Sequence, residues 1–410
     1  MNKISKIPTL FITLLILLMM AVFSFASGQT RTFDLSPGQK IKFITRTGGD
    51  IHIEGWNKSE VESTVGGNQK LSFEKTDFGL EIIPPLTRTN YRFKVPHNTD
   101  IEFFTAAGSV TLINVQGDLK GSTAAGRLRL EGLKGKMKIE TFAGNVRLDD
   151  VKGDVEITTF AGEIKVTNSE VDGKVHTNGG ALRVQDVVGK LSASTNGGGV
   201  TYRNVSTGNG KGKDRGHRKN IKEKAVHVTT MGGAIDFDDA PDGAVVFTGG
   251  GSININNADK YVEAKTGGGS IKINNADRYV EANTGGGSIN ISIKSGTVKA
   301  TTGAGEVDVT IDKDTKNDGD VTIFTGTGDV TVTVPSGFSM ELDIDLAYTR
   351  NSFKDYKIIS DFDFKIEETD KWDYSQGSPR KHIYGTGKIA GGRHKIKIRS
   401  VNGNVEIKKK

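Results

Sequence analysis

Glu131 and Asp149 stand eighteen residues apart. On neighbouring strands they would lie about 5 Å from each other, within the range of roughly 5–9 Å at which glycoside hydrolases set paired carboxylates. That is the best acid–base chemistry this chain offers. Against it, Arg129 and Arg147 each stand two residues before one of the carboxylates, and units this short leave no long loop to wall a cleft. Solvated surface carboxylates are the favoured reading, and no catalytic residue is assigned. His52, His97, His176, His217, His227, His382 and His394 show no ligand spacing within a unit. The Gly-Gly-Gly runs lack the acidic pattern of calcium-binding rolls. A strand rather than a helix follows each, unlike a phosphate-cradling loop. Cysteine is absent, which removes disulfides, thiolate metal sites and cysteine nucleophiles. Neither metal nor cofactor is expected.

A second constellation is cationic. Arg129, Arg147, Lys165 and Arg183 recur at a step of eighteen, an outward column of like charge, and Arg203 extends it with the same outward parity. Like charges stacked across strands repel unless neutralised. Glu131 and Asp149 can neutralise the first two, whereas Lys165 and Arg183 have no acid two positions on. Downstream, residues 208–224 carry Lys211, Lys213, Arg215, Arg218, Lys219, Lys222 and Lys224 against Asp214 and Glu223, a net of +5. This insert is expected beside the un-neutralised end of the column. Together they would suit an acidic glycan, lipopolysaccharide or extracellular nucleic acid. No specific nucleic-acid motif is present. The plainer alternative is a solvated loop between two repeat arrays.

The elements that must position these residues are set by a repeat. Thr105, Thr123, Thr141, Thr159, Thr177 and Thr195 each precede a glycine by three residues, and the phase resumes at Thr230, Thr248, Thr266, Thr284 and Thr302. Five and seven residues after each Thr the chain is apolar, as at Val110 and Leu112 or Ile253 and Ile255. Alternation at period two means strands with one buried face. Each unit supplies two such strands and cannot bury its apolar face alone, so units must stack. The expected fold is all-β, a β-solenoid with coils of about eighteen residues and irregular β caps. Nine residues after the Thr stand Asn114, Asp150, Asn168, Asp186, Asn204, Asp239, Asn257 and Asn275. Asn and Asp tolerate left-handed turns and can hydrogen-bond along the stack.

The organisation read from these signals is a signal peptide at 1–26, an N-terminal β cap at 27–104 and a first array at 105–207. The basic insert at 208–224, a second array at 225–337 and a capping region with closing coil at 338–410 follow. Lys3 and Lys6 precede a nearly continuous apolar run, Leu10 to Phe25, and Ser24 and Ala26 fit a cleavage site. The body is therefore expected to be exported to the periplasm, the outer surface or the medium, with no span beyond the signal segment. The C-terminal region holds an aromatic cluster that includes Phe338, Tyr348, Trp372 and Tyr384.

Two stretches carry a resemblance. The run from Phe93 through Pro96 and Asp100 to Gly108 resembles the lead-in to the coils of the putative-adhesin family of bacterial β-strand-repeat proteins. The ending from Gly391 through Arg399 and Gly403 to Ile407 resembles that family's closing coil. The resemblance covers most of residues 40–410. It implies a β-solenoid on an exported bacterial protein, with adhesion as the provisional role and no catalytic residue to carry over. The functional expectation is a non-enzymatic envelope or surface adhesion or scaffolding protein, with anionic polysaccharide or another cell-surface component as partner. The rivals are a glycan-active β-helix enzyme, lyase or hydrolase, and a self-assembling structural rod.

Overall fold

The computed structural model describes residues 29–67, 69–208, 225–312, 319–352, 355–375 and 377–410. The signal segment expected at 1–26 lies outside them. Among the described residues the chain forms 34 strands in one hydrogen-bonded sheet and no helix. The fold is all-β, as the period-two pattern requires. In Met137–Ala143, Met137, Ile139 and Thr141 turn inward while Lys138 and Glu140 are exposed.

From Ile101 to Thr195 pairing is parallel, with partners eighteen residues apart. Leu119–Ala125 lies against Met137–Ala143 with Thr123 beside Thr141, and Met137–Ala143 lies against Lys152–Thr159 with Thr141 beside Thr159. A second ladder runs through Val110–Ile113, Leu128–Glu131 and Val146–Asp149, placing Leu112, Leu130 and Leu148 in one row. Each repeat thus contributes two strands, whose inward side chains merge into one apolar core along the stack.

The threonine and glycine columns form one corner. Thr195 Oγ1 accepts from the Gly198 N–H at 3.2 Å and donates to the Gly180 carbonyl of the preceding rung at 2.8 Å. The same two bonds recur at Thr177, Thr230, Thr248, Thr266 and Thr284. A Cβ on Gly144 would lie 1.8 Å from the Gly126 oxygen, so rung-on-rung approach, not a dihedral angle, demands glycine there. The opposite turn does need left-handed backbone. Asn114, Asp150, Asn168, Asp186 and Asn204 have φ between 48° and 55°, and Gly132 fills the gap at 63°. In later rungs the backbone is no longer left-handed, but the amide ladder persists. Asn257 donates to Asp239 at 2.8 Å and Asn275 to Asn257 at 3.0 Å.

The stack extends past the elevenfold repeat at both ends. Thr45 lies beside Thr105, Thr325 beside Thr302 and Ser400 beside Thr325. Lys40–Thr45 and Ile51–Trp56 therefore form a rung inside the stretch expected to be a cap. Gly79–Ile83 and Tyr91–Pro96 cover that rung from outside. At the far end His394–Val401 is inserted between Val321–Thr325 and Met340–Thr349. Rungs from both ends of the chain are thus held between others. Antiparallel strands then close the stack, Ser72–Thr76 on Gly79–Ile83 and Arg380–Ile389 on Met340–Thr349. They occupy edges that would otherwise pair with another chain.

Candidate functional site

The cationic column rests on the strands Leu128–Glu131, Val146–Asp149, Ile164–Thr177 and Leu182–Val188. Leu128 and Leu130 are buried, so Arg129 and Glu131 face out. Arg129, Arg147, Lys165 and Arg183 are direct neighbours on successive rungs, and Arg203 stands opposite Gln185 on the next.

Its neutralisation differs from the expectation. Arg129 Nε bonds Glu131 at 2.9 Å and Arg147 bonds Asp149 at 3.1 Å, as spacing within a rung suggests. Arg183, expected to lack an acid, reaches back one rung to Glu163 at 2.8 Å, and Arg203 reaches forward to Asp238 at 3.1 Å. A long guanidinium spans diagonally between rungs, which spacing within one rung does not reveal. Lys165 remains without a carboxylate partner among the described residues, and so does Arg127. Arg127 was not singled out from sequence, although it shares the outward parity of Arg129. Both line a groove of about 360 Å³ with Arg129, Arg147, Asn145 and Glu163. Exposed ion pairs contribute only about 0–1 kcal/mol, so an incoming anion can exchange for Glu131 or Asp149 at little cost.

Lys211, Lys213, Arg215, Arg218, Lys219, Lys222 and Lys224 lie outside the described residues. Gly208, where the insert leaves, lines a different groove with Lys134, Lys152 and Glu170. The expectation for the insert itself falls outside the described residues. Between Arg203 and Gly208 the chain turns the left-handed corner at Asn204 and changes face. The exit is pinned by Asp242, which is 1% exposed. Thr207 donates to its Oδ2 through both N–H and hydroxyl at 2.8 Å, and Lys260 bonds its Oδ1 at 2.8 Å. Burial alone would raise the Asp242 carboxyl, but the bonds from Lys260 and Thr207 bring it below the usual range.

Glu131 and Asp149 do sit on adjacent rungs. Burial pushes the Asp149 carboxyl up, yet bonds from Asn168, Thr167 and Arg147 outweigh it and hold the group below the ordinary carboxylate range. A glycosidase acid must keep its proton near neutrality, and Asp149 is arranged to lose it. Among the described residues no group of three or more His, Cys, Asp or Glu could hold a metal ion.

Residues 44–236 match the family model described as Toastrack DUF4097. The likeness spans 193 of the 410 residues. The matched stretch begins at the Thr45 rung, which pairs with the Thr105 rung. It contains the whole cationic column. No curated protein matches the chain. Among solved structures, a "putative cell adhesion protein" from Clostridium sporogenes is similar at 12% identity and TM-score 0.17, covering 94% of this chain and 100% of that one. A "putative lipid binding protein" from Parabacteroides distasonis is similar at 14% identity and TM-score 0.22, covering 75% and 97%. A "putative adhesin" from Parabacteroides merdae is similar at 11% identity and TM-score 0.23, covering 75% and 96%. Scores this low transfer neither shape nor role to this chain.

Proposed function

We propose that this chain is an exported, non-enzymatic β-solenoid of eighteen-residue coils, acting in adhesion or scaffolding at the cell envelope or surface. The supporting observation is the parallel register of the first array. It spreads outward side chains in straight columns along the stack instead of converging them on one reacting atom. Such columns suit an extended ligand held by many weak contacts. The ligand class that fits the first array is a polyanion such as an acidic glycan, met by Arg127 and Lys165 and by the exchangeable Arg129, Arg147, Arg183 and Arg203. The insert lysines and arginines would add further counterion release.

The test is heparin-affinity chromatography of the parent, an Arg127→Glu/Lys165→Glu variant, and a deletion of residues 208–224. Polyanion binding releases condensed counterions, so retention of the parent should fall steeply with salt. Both variants should elute at clearly lower salt. The deletion should leave thermal stability intact, because Thr195 and Thr230 would then stand one rung length apart. Salt-insensitive retention, or two variants that elute with the parent, would refute the polyanion reading. Turnover of a polysaccharide by the purified chain would favour the enzyme instead.

A further inference from the structure

Eight large apolar side chains on the stacked rungs are exposed: Ile44, Phe104, Phe142, Phe160, Val188, Met231, Phe247 and Phe324. All but Val188 occupy just two columns, the positions immediately before and after the buried corner threonine or its neighbour rungs' equivalents. An apolar side chain left in water repeatedly on one edge is not explained by packing, and such patches mark contact surfaces. The edge is also nearly free of charge. Counting the three positions that flank the corner over all fourteen rungs, only Arg46, Glu140, Lys265 and Arg399 are charged, against 25% of the chain as a whole. Two of these are already paired, Lys265 with Glu263 at 2.6 Å and Arg399 with Asp343 at 2.7 Å.

The edge is most developed over four successive rungs. Phe142 and Phe160 are 63% and 52% exposed, and their rings stack 4.9 Å apart within 2° of parallel. The same column then continues as Asn178 and Asn196. Asn178 Oδ1 accepts from Asn196 Nδ2 at 2.9 Å and lies 2.9 Å from His176 Nε2, while His176 Nδ1 lies 2.7 Å from the Ser194 hydroxyl. A neutral imidazole protonated on Nε2 satisfies both contacts. These polar groups are thus fixed before any ligand arrives, which lowers the ordering cost of binding. Asn196 keeps a second N–H and its carbonyl oxygen towards solvent. On the other side of the ring pair the column carries only Ala124 and Ala106, which leaves the outer face of Phe142 uncrowded.

We propose that this edge binds an uncharged glycan laid along the stack. The apolar C–H face of a sugar ring packs on Phe142 or Phe160, and its hydroxyls bond Asn196 and the His176–Ser194 pair. The scarcity of charge selects this occupant over a lipid headgroup surface or a polyanion, both of which would call for cations along the edge. The site is separate from the cationic column and does not depend on it.

The test is affinity electrophoresis of the full exported chain in native gels containing dextran, laminarin or hydroxyethyl cellulose. A Phe142→Ala/Phe160→Ala variant, an Asn196→Ala variant and a Leu86→Ser control are run beside it. Retardation by at least one neutral polysaccharide is expected, equal at 50 and 500 mM salt. It should weaken tenfold or more in the double variant and severalfold in Asn196→Ala, with Leu86→Ser unchanged. Both Phe side chains are largely in solvent, so the melting temperature should stay within a degree or two of the parent and the loss cannot be laid to unfolding. Four results overturn the proposal: no retardation in any neutral gel, retardation that survives the double variant, binding to phosphatidylcholine vesicles that the double variant abolishes, or a dimer-to-monomer change in sedimentation of that variant. Salt-insensitive loss here leaves the heparin result untouched, so the two sites fail or stand separately.

Discussion

Two adjacent glycines that look interchangeable, Gly268 and Gly269, should behave in opposite ways. A Cβ on Gly269 would lie 2.0 Å from the Gly251 oxygen, whereas Gly268 has nothing within 4 Å and no left-handed φ. For Gly269→Ala the facing carbonyl must retreat by roughly 1 Å or more before ordinary contact is restored, an overpacking cost of about 1–3 kcal/mol. The same shift disturbs two corner bonds, Gly269 N–H to Thr266 at 3.1 Å and the Thr284 hydroxyl to the Gly269 carbonyl at 2.8 Å. Each is worth about 0.5–1.5 kcal/mol net. The expected loss is therefore about 2–6 kcal/mol. Gly268→Ala removes only freedom of the unfolded chain and should stabilise by about 0.4–1 kcal/mol. Guanidinium denaturation followed by far-ultraviolet circular dichroism measures both, and the midpoints should move in opposite directions. Comparable losses for the two variants would refute the corner geometry and leave generic glycine flexibility as the explanation.

Two further outcomes follow from the ends and from the insert's stem. Truncation after Arg393 removes Ile396, Ile398, Val405 and Ile407, each 0% exposed. At about 1.5–3 kcal/mol per buried aliphatic side chain, the loss of about 6–12 kcal/mol is of the order of a whole domain's stability. Limited proteolysis should then degrade residues 321–393, and a protease-resistant truncated chain would contradict the inserted strand. Asp242→Asn should destabilise by about 1–3 kcal/mol at pH 7. Because the folded carboxyl titrates below its ordinary value, its contribution is full above an unfolded pKa of about 3.9 and fades as pH falls through the folded value. The parent–variant difference should therefore shrink as pH falls below about 4 in thermal melts, and a difference constant with pH would count against the Lys260 bond.

The fold was largely legible because each rung is made by neighbouring sequence. A threonine hydroxyl and a glycine without a side chain are both needed at every turn of one corner, so eighteen-residue spacing shows in residues 105–198 and 230–305. The buried strands were equally plain, since period two leaves Leu128 and Leu130 on one side and Arg129 on the other. The left-handed turn at Asn114 to Asn204 follows from residue type.

What sequence could not supply is anything that depends on which rung lies next to which. Thr45 pairs with Thr105 across sixty residues, and Ser400 with Thr325 across seventy-five, because the chain leaves the stack and returns between existing rungs. No local pattern encodes that threading. The same limit governs the surface. Arg183 finds Glu163 and Arg203 finds Asp238 only through the stacking of rungs, and the corner at Asn204 puts the insert's exit on another face. Phe104 precedes its threonine whereas Phe142 and Met231 follow theirs, yet all three are exposed at one edge. The periodic contacts of backbone and core were written in the residues themselves, while the chemistry of the surface was decided by the neighbours that stacking brought to them.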